Sequence, residues 1–240
     1  MFTITNEHKE HWLSFIEIDI TEQCNLSCNA CSRCCDKFKS NKHIDIKIVR
    51  QFVKESIVLN YKWKSIKILG GEPTLHPELD KIIKILYEYK LFNVDCLISI
   101  LSNGVIKRNY PDWFIDEYTL DHSFHRPFYI SPMDEGKFGI NKLCCTLWQC
   151  GIGLGSYGYT PCALGTAMCR IWGFRGVTSL YNCTGENLLN QCKNICKHCG
   201  AYLVDSHDFS KGDIFNYEVM QMTPSWVNRL EEYNKNKNIF

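Results

Sequence analysis

Apolar and polar residues alternate from Ile16 to Thr21, the two-residue period of a strand with one buried face. Ile16, Ile18 and Ile20 are expected to face helices, which puts Glu17, Asp19 and Thr21 on the opposite face. The period then lengthens. Asp45 is placed to cap a helix running to about Asn60, with Val49, Phe52, Val53 and Ile57 on one side. Ser65 to Leu69 is a short strand that ends in Gly70-Gly71-Glu72-Pro73. Pro77, Glu78 and Asp80 open a second helix, whose apolar stripe is Leu79, Ile82, Ile83 and Leu86. Val94 to Leu101 has the composition of a buried strand and ends in Ser102-Asn103-Gly104. Strands alternating with helices in this way predict an α/β fold with a parallel sheet and right-handed crossovers.

In such a sheet the functional loops follow the C-terminal ends of strands. The segment after Thr21, the Gly70–Pro73 turn and Ser102–Gly104 each follow a strand directly, so the three are expected to meet at one rim. Carboxylates on the inner face of the first strand suggest a polar interior that can hold a substrate. The alternative is a solvated face at a sheet edge.

Beyond Gly104 the pattern weakens. Glu117 to Phe124 and Phe128 to Ser131 read as strands, but the chain before Cys150 is too short for three more strand–helix units. A shortened, partial (β/α) barrel is therefore expected. Leu143 to Cys169 has no charged residue, yet its five cysteines, five glycines and Pro161 suit a loop wrapped around something buried better than a membrane span. A last helix is expected from Pro224 to about Tyr233. The domain reading is 1–142 for the barrel, 143–205 for a small cysteine-rich module and 206–240 for a tail with one helix.

Composition sharpens this. The 240 residues are 45% hydrophobic and 22% charged, enough for a real core. A net charge of +1 argues against binding nucleic acid or an anionic membrane surface. The first residues have no basic start, apolar core or cleavage site, which reads as an unprocessed cytoplasmic protein. Fifteen cysteines are an odd number, and without a secretory signal they suggest metal ligation before disulfides. Arg33 to Lys42 is basic and polar and is expected to be exposed.

Cys24, Cys28 and Cys31 form C-x3-C-x2-C straight after the first strand. Three thiols leave a metal cluster one ligand short, as a reactive centre requires; a structural zinc site would need Cys34 or Cys35 to close it. Cys192, Cys196 and Cys199 repeat the spacing, so spacing alone is not specific. Only the first copy follows a strand and precedes a Gly-Gly-Glu turn. Cys150 and Cys162 flank a glycine-rich hairpin, and Cys196 and Cys199 add a later C-x2-C. These four can close a second site for iron–sulfur or zinc. Cys144 and Cys145 lie just upstream as replacements for Cys150. Cys34, Cys35, Cys96 and Cys169 read as small buried hydrophobes before hydrogen donors. Asp121, His122, His125 and Asp134 read as surface groups before acid–base groups.

The loop CNLSCNAC with GGEP and a strand ending in SNG resembles the radical S-adenosylmethionine (SAM) superfamily. That resemblance implies a 4Fe–4S cluster on Cys24, Cys28 and Cys31, whose fourth iron binds SAM. Reductive cleavage of SAM then yields a 5′-deoxyadenosyl radical that abstracts hydrogen from substrate. It also implies that Gly70, Gly71 and Glu72 approach the methionine amino group and that Ser102 and Asn103 contact the SAM carboxylate or ribose. Ala30 departs from the aromatic or larger residue usual before the third cysteine, removing an adenine contact. The second region resembles the SPASM/Twitch extensions of the superfamily, in single-cluster Twitch form. Cys150, Cys162, Cys196 and Cys199 would then bind an auxiliary 4Fe–4S cluster.

The plan is similar to small two-cluster members that dehydrogenate an alcohol carbon of a cyclitol. The expected activity is an oxidoreductase-type reaction on a small polar substrate, with a flavodoxin or ferredoxin as electron donor. Two rivals stand beside it. A ribosomal-peptide maturase or epimerase often carries a leader-binding domain ahead of the barrel; the short stretch before Ile16 favours a small substrate or a peptide recruited by another protein. A non-catalytic iron–sulfur or zinc redox sensor has no need of the Gly-Gly-Glu turn.

Overall fold

A computed structural model describes residues 12–28, 31–118, 129–136, 144, 146–201 and 221–237. The strands are β1 (Phe15–Thr21), β2 (Ser65–Gly70), β3 (Leu97–Ser102), β4 (Ile115–Tyr118), β5 (Ile152–Gly155) and β6 (Gly158–Thr160). They form one mixed sheet in the order β4-β3-β2-β1-β5-β6. Every pairing is parallel except β5 with β6, the predicted glycine-rich hairpin.

Parallel register stacks isoleucines across the sheet. Ile98, Ile66, Ile16 and Ile152 form one row, and Ile100, Ile68, Ile18 and Leu154 the next. All eight are buried. Two helices cover this face. The first, α1 (Ile46–Val58), starts where Asp45 accepts from the Lys47 amide at 2.9 Å. The second, α2 (Leu79–Phe92), buries Leu79, Ile82, Ile83 and Leu86. Each fully buried aliphatic side chain here contributes about 1.5–3 kcal/mol, so the rows anchor β1 firmly beneath the loop that follows it.

Several expectations need correction. The third strand starts at Leu97 and not at Val94, because residues 93–96 form a turn in which the Cys96 amide donates to Asn93 O at 3.1 Å. Arg33 to Lys42 is exposed only in part: Lys37, Lys39, Asn41 and Lys42 are exposed, but Arg33, Cys34, Cys35 and Phe38 are buried. The uncharged run from Leu143 to Cys169 is not a wrapped loop. Its described part builds α3 (Thr146–Cys150), the β5–β6 hairpin and most of α4 (Ala163–Trp172). Lack of charge there reflects burial on both sides of the sheet edge and α4, whose first nine residues are all buried.

Two more helices follow, α5 (Gly185–Ile195) and α6 (Pro224–Lys237), the last running beyond the expected end at Tyr233. A second core gathers Phe38, Leu164, Met168, Ile171, Ile195 and Trp226. The strand expected from Glu117 begins earlier, as β4 at Ile115, and its expected end lies outside the described residues. Tyr129 to Ser131 is irregular and not a strand. Asp121, His122 and His125 also lie outside the described residues. Asp134 accepts from the Ser225 amide and hydroxyl, holding the start of α6. Among the described residues no helix is long and apolar enough to cross a membrane.

Candidate active site

The three expected loops meet at the C-terminal ends of β1, β2 and β3, and hydrogen bonds join them. A register shift between Asp19 and Thr21 interrupts the β1–β2 ladder before its last pair, Thr21 with Gly70, as bulges beside functional loops do. Beyond it the glycine turn lies against the cysteine loop: the Gly71 amide donates to Thr21 O at 2.7 Å and the Glu72 amide to Gln23 O at 2.7 Å. A Cβ on Gly71 would sit 2.2 Å from Gln23 O, so only glycine permits this approach. Gly70, at φ +143°, is equally closed to a side chain by Thr21 O. The glycine pair therefore has a reason inside the protein, apart from any contact with a cofactor.

Glu72 is buried and joins the turn to the end of β3. Its Oε1 accepts from the Thr74 amide at 3.0 Å, the Thr74 hydroxyl at 2.5 Å and the Ser102 hydroxyl at 3.0 Å. Its Oε2 accepts from the Asn103 amide at 2.8 Å. The Asn103 side chain then donates to Asn25 Oδ1 at 2.7 Å, inside the cysteine loop. Asn25 had no signal of its own beyond its place between Cys24 and Cys28. A carboxylate offers about four lone-pair sites, so these bonds crowd Oε1 and leave Oε2 able to accept one more donor.

Cys24, Cys28 and Cys31 are all partly exposed at this rim. Burial raises the Cys24 thiol, and Cys31, Glu72 and Cys28 oppose its ionisation further. Burial also raises Cys28, again with Cys31 against it. Cys31 is lowered to about 6, first by a hydrogen bond from Cys35, whose own thiol is pushed up. Cys31 thus opposes ionisation of Cys24 and Cys28, an opposition that a cationic cluster relieves, and thiolates are what such a cluster takes. Among the described residues no three His, Cys, Asp or Glu side chains converge on one ion position. A cubane asks for less, because each thiolate binds a different iron. The residues present thus fit a three-ligand cluster. Closure into a zinc tetrahedron finds no support: Cys34 is wholly buried in the second core, and the Cys35 thiol is engaged by Cys31 and by Glu22 O.

Glu17 and Asp19 lie on the face of β1 opposite the isoleucines, and β1 is central in the sheet, so the solvated-edge alternative falls. Arg33 occupies that face. Its Nη2 donates to Glu17 Oε2 at 3.0 Å and its Nε to Asp19 at 3.1 Å. Thr166 of α4 also donates to Asp19. Desolvation raises the Glu17 carboxyl, and Arg33 holds the rise in check. Asp19, Arg33, Gly70, Gly71, Tyr157 and Thr166 line a cleft between the cysteine loop, the glycine turn and the β5–β6 hairpin. Arg33 was missed in the sequence. Its signal was indirect, since two carboxylates on a covered face require a cation.

The second cysteine group divides. Cys162, Cys196 and Cys199 line one apolar cavity together with Cys144 and Cys192. Cys150 is not among its lining residues. Its thiol instead meets Glu17 and Arg33, with Cys162 acting on it from across the hairpin base. Cys145 lies outside the described residues. None of the described cysteines forms a disulfide.

No protein-family model matches the chain. It is 35% identical over 95 residues to the probable GTP 3′,8-cyclase of Methanococcus aeolicus, covering 40% of this chain and 31% of that protein. It is 31% identical over 94 residues to the GTP 3′,8-cyclase of Helicobacter pylori, covering 38% and 28%. The chain thus matches under a third of these curated relatives' own length. Among solved structures, BtrN in complex with AdoMet and 2-DOIA aligns at 13% identity over 78% of this chain and 88% of that one, with a TM-score of 0.46. Streptococcus suis SuiB bound to precursor peptide SuiA aligns at 20% identity over 46% and 26%, with a TM-score of 0.34. Over about 40% of its length the chain is thus similar to GTP 3′,8-cyclases, which are radical S-adenosylmethionine enzymes.

Proposed function

We propose that this chain is a radical SAM enzyme acting on a small polar substrate held in the cleft above β1. Cys24, Cys28 and Cys31 hold a 4Fe–4S cluster, and Gly70, Gly71, Glu72, Ser102 and Asn103 form the SAM site beside it. When bound and reduced, cluster and SAM together supply a 5′-deoxyadenosyl radical that takes a hydrogen atom from carbon.

The chain's own residues do the rest. Glu72 Oε2 keeps an acceptor site for the SAM ammonium, a charge-assisted bond. Asn103 and Glu72 hold the cysteine loop, the glycine turn and the β3 end in one register, so ligand loop and SAM site cannot shift independently. Arg33, two residues past Cys31, ties the same loop to the substrate face of β1. That bonded set of loops is the observation that carries the reading.

GTP, the substrate in the cyclases' names, is a poor fit to this cleft. Arg33 and Arg170 are the cations among its described lining residues, and both are engaged, Arg33 by two carboxylates and Arg170 by the carbonyls of Phe38 and Arg33. A triphosphate needs cations that are available. Asp19, Thr166 and Ser156 suit an uncharged, hydroxyl-bearing or amine-bearing molecule better. We assign dehydrogenation as the reaction type and a flavodoxin or ferredoxin as the reductant. An auxiliary 4Fe–4S centre is part of this reading, held by Cys162, Cys196, Cys199 and a fourth thiol.

The test is anaerobic reconstitution. The protein should bind about eight irons as two clusters, and replacing Cys24, Cys28 and Cys31 together with alanine should remove about half of them and abolish SAM binding. Retention of all the iron by that variant would contradict the ligand assignment.

A further inference from the structure

The cavity beside α4 holds more thiols than a cluster needs. Cys144, Cys162, Cys192, Cys196 and Cys199 all line it, and its other walls are Thr146 and apolar groups. They come from three directions: Cys144 precedes α3, Cys162 caps the start of α4, and the other three end α5 and the 3-10 turn Cys196–His198. Cys162 is set electrostatically against Cys199 and Cys196. Cys192 and Cys196 are one helical turn apart, with their thiols in hydrogen-bond contact, so they approach from one side as a pair. A cubane needs its fourth thiolate from another side, on its own iron. Cys144 supplies that direction. It sits half-buried at the cavity wall, with its thiol 3.4 Å from the Thr146 hydroxyl. Cys150 is not among the residues that line this cavity; its thiol is hydrogen-bonded with Glu17 on the polar face of β1, where Arg33 also lies.

We propose that the auxiliary centre is held by Cys144, Cys162, Cys196 and Cys199, and that Cys150, although it flanks the hairpin, is a thiol of the substrate chamber and not a ligand. This inference rests on the auxiliary-cluster reading above. It departs from the hairpin-flanking assignment that the motif order alone suggests, because Cys144 and not Cys150 lines the cavity shared by Cys162, Cys196 and Cys199.

The test uses the full chain with Cys24, Cys28 and Cys31 replaced by alanine, so that only the auxiliary centre remains, reconstituted anaerobically. Metal content and the electron paramagnetic resonance spectrum of the reduced protein are then recorded after adding Cys144→Ala, Cys150→Ala or Cys192→Ala. The parent should hold about four irons. Cys150→Ala and Cys192→Ala should keep them with an unchanged spectrum. Cys144→Ala should lose most of the iron or shift the spectrum to that of an incompletely ligated cluster. Loss on Cys150→Ala or Cys192→Ala, with Cys144→Ala unaffected, overturns the assignment. Zinc in place of iron, lost only with Cys144→Ala, supports the ligand set while overturning the iron–sulfur part of the reading beneath it. A parent that binds neither metal overturns both.

Discussion

Arg33 Nη2 lies 3.0 Å from Glu17 Oε2, and its Nε bonds Asp19 on the same face of β1. One guanidinium from the cluster loop thus neutralises two carboxylates on the central strand. Both carboxylates and the guanidinium are at most 15% exposed as side chains, so solvent screens them little. Replacing Arg33 with alanine leaves two buried negative charges without a partner. The expected loss is about 3–5 kcal/mol of stability, measured by denaturant unfolding of the anaerobic protein, with poorer iron retention alongside. An unchanged midpoint would show that the pair adds nothing.

The pH dependence of Glu17 has a definite sign. Burial raises its folded carboxyl above the ordinary value of 4.5. In the window between those two values the folded state binds more protons than the unfolded one. Stability from this group is therefore full below 4.5 and falls as pH rises towards and through the raised value. Glu17→Gln removes the titration but keeps an acceptor for Arg33. The stability of the variant relative to wild type should rise as pH increases from 4 upward, read from unfolding at a series of pH values. A difference that does not change with pH would refute the shift.

Gly71 tests the close approach of turn and loop. Gly71→Ala places a methyl carbon 2.2 Å from Gln23 O, a backbone atom that cannot swing aside. A cost of about 1–3 kcal/mol is expected, together with weakened iron binding at Cys24, Cys28 and Cys31. Gly185→Ala meets nothing within 4 Å and serves as the control.

Glu72 separates the SAM site from the cluster. In Glu72→Gln an amide group replaces one carboxylate oxygen, which sets a donor against the Asn103 amide or against Thr74 and Ser102. Leaving such groups unsatisfied costs about 1–3 kcal/mol. Affinity for SAM should fall by more than iron content does, since the carboxylate is lost while the Gly71 and Glu72 backbone amides still bond the cysteine loop. SAM binding at wild-type strength would remove Glu72 from the site.

Much of this was readable in the sequence, and what was not has a physical cause. The alternation of Ile16, Ile18 and Ile20 with Glu17 and Asp19 is a local, two-residue signal, and it placed β1, its buried face and the loop after it correctly. Asp45 declared the start of α1 in the same local way. Arg33 could not be placed like this, since its burial depends on carboxylates well upstream and on α4. A charged side chain looks exposed until its partners are known. Cys150 and Cys144 both precede the hairpin, and which of them lines the cavity with Cys162, Cys196 and Cys199 is a matter of tertiary placement that residue spacing does not encode.

The central claim is that Cys24, Cys28 and Cys31 leave one coordination position for SAM. It is tested most directly by incubating the anaerobically reconstituted, reduced protein with SAM and measuring 5′-deoxyadenosine. The account predicts its formation by the wild-type protein and none by the variant lacking the three cysteines. Fully iron-loaded, reduced wild-type protein that never releases 5′-deoxyadenosine would contradict it.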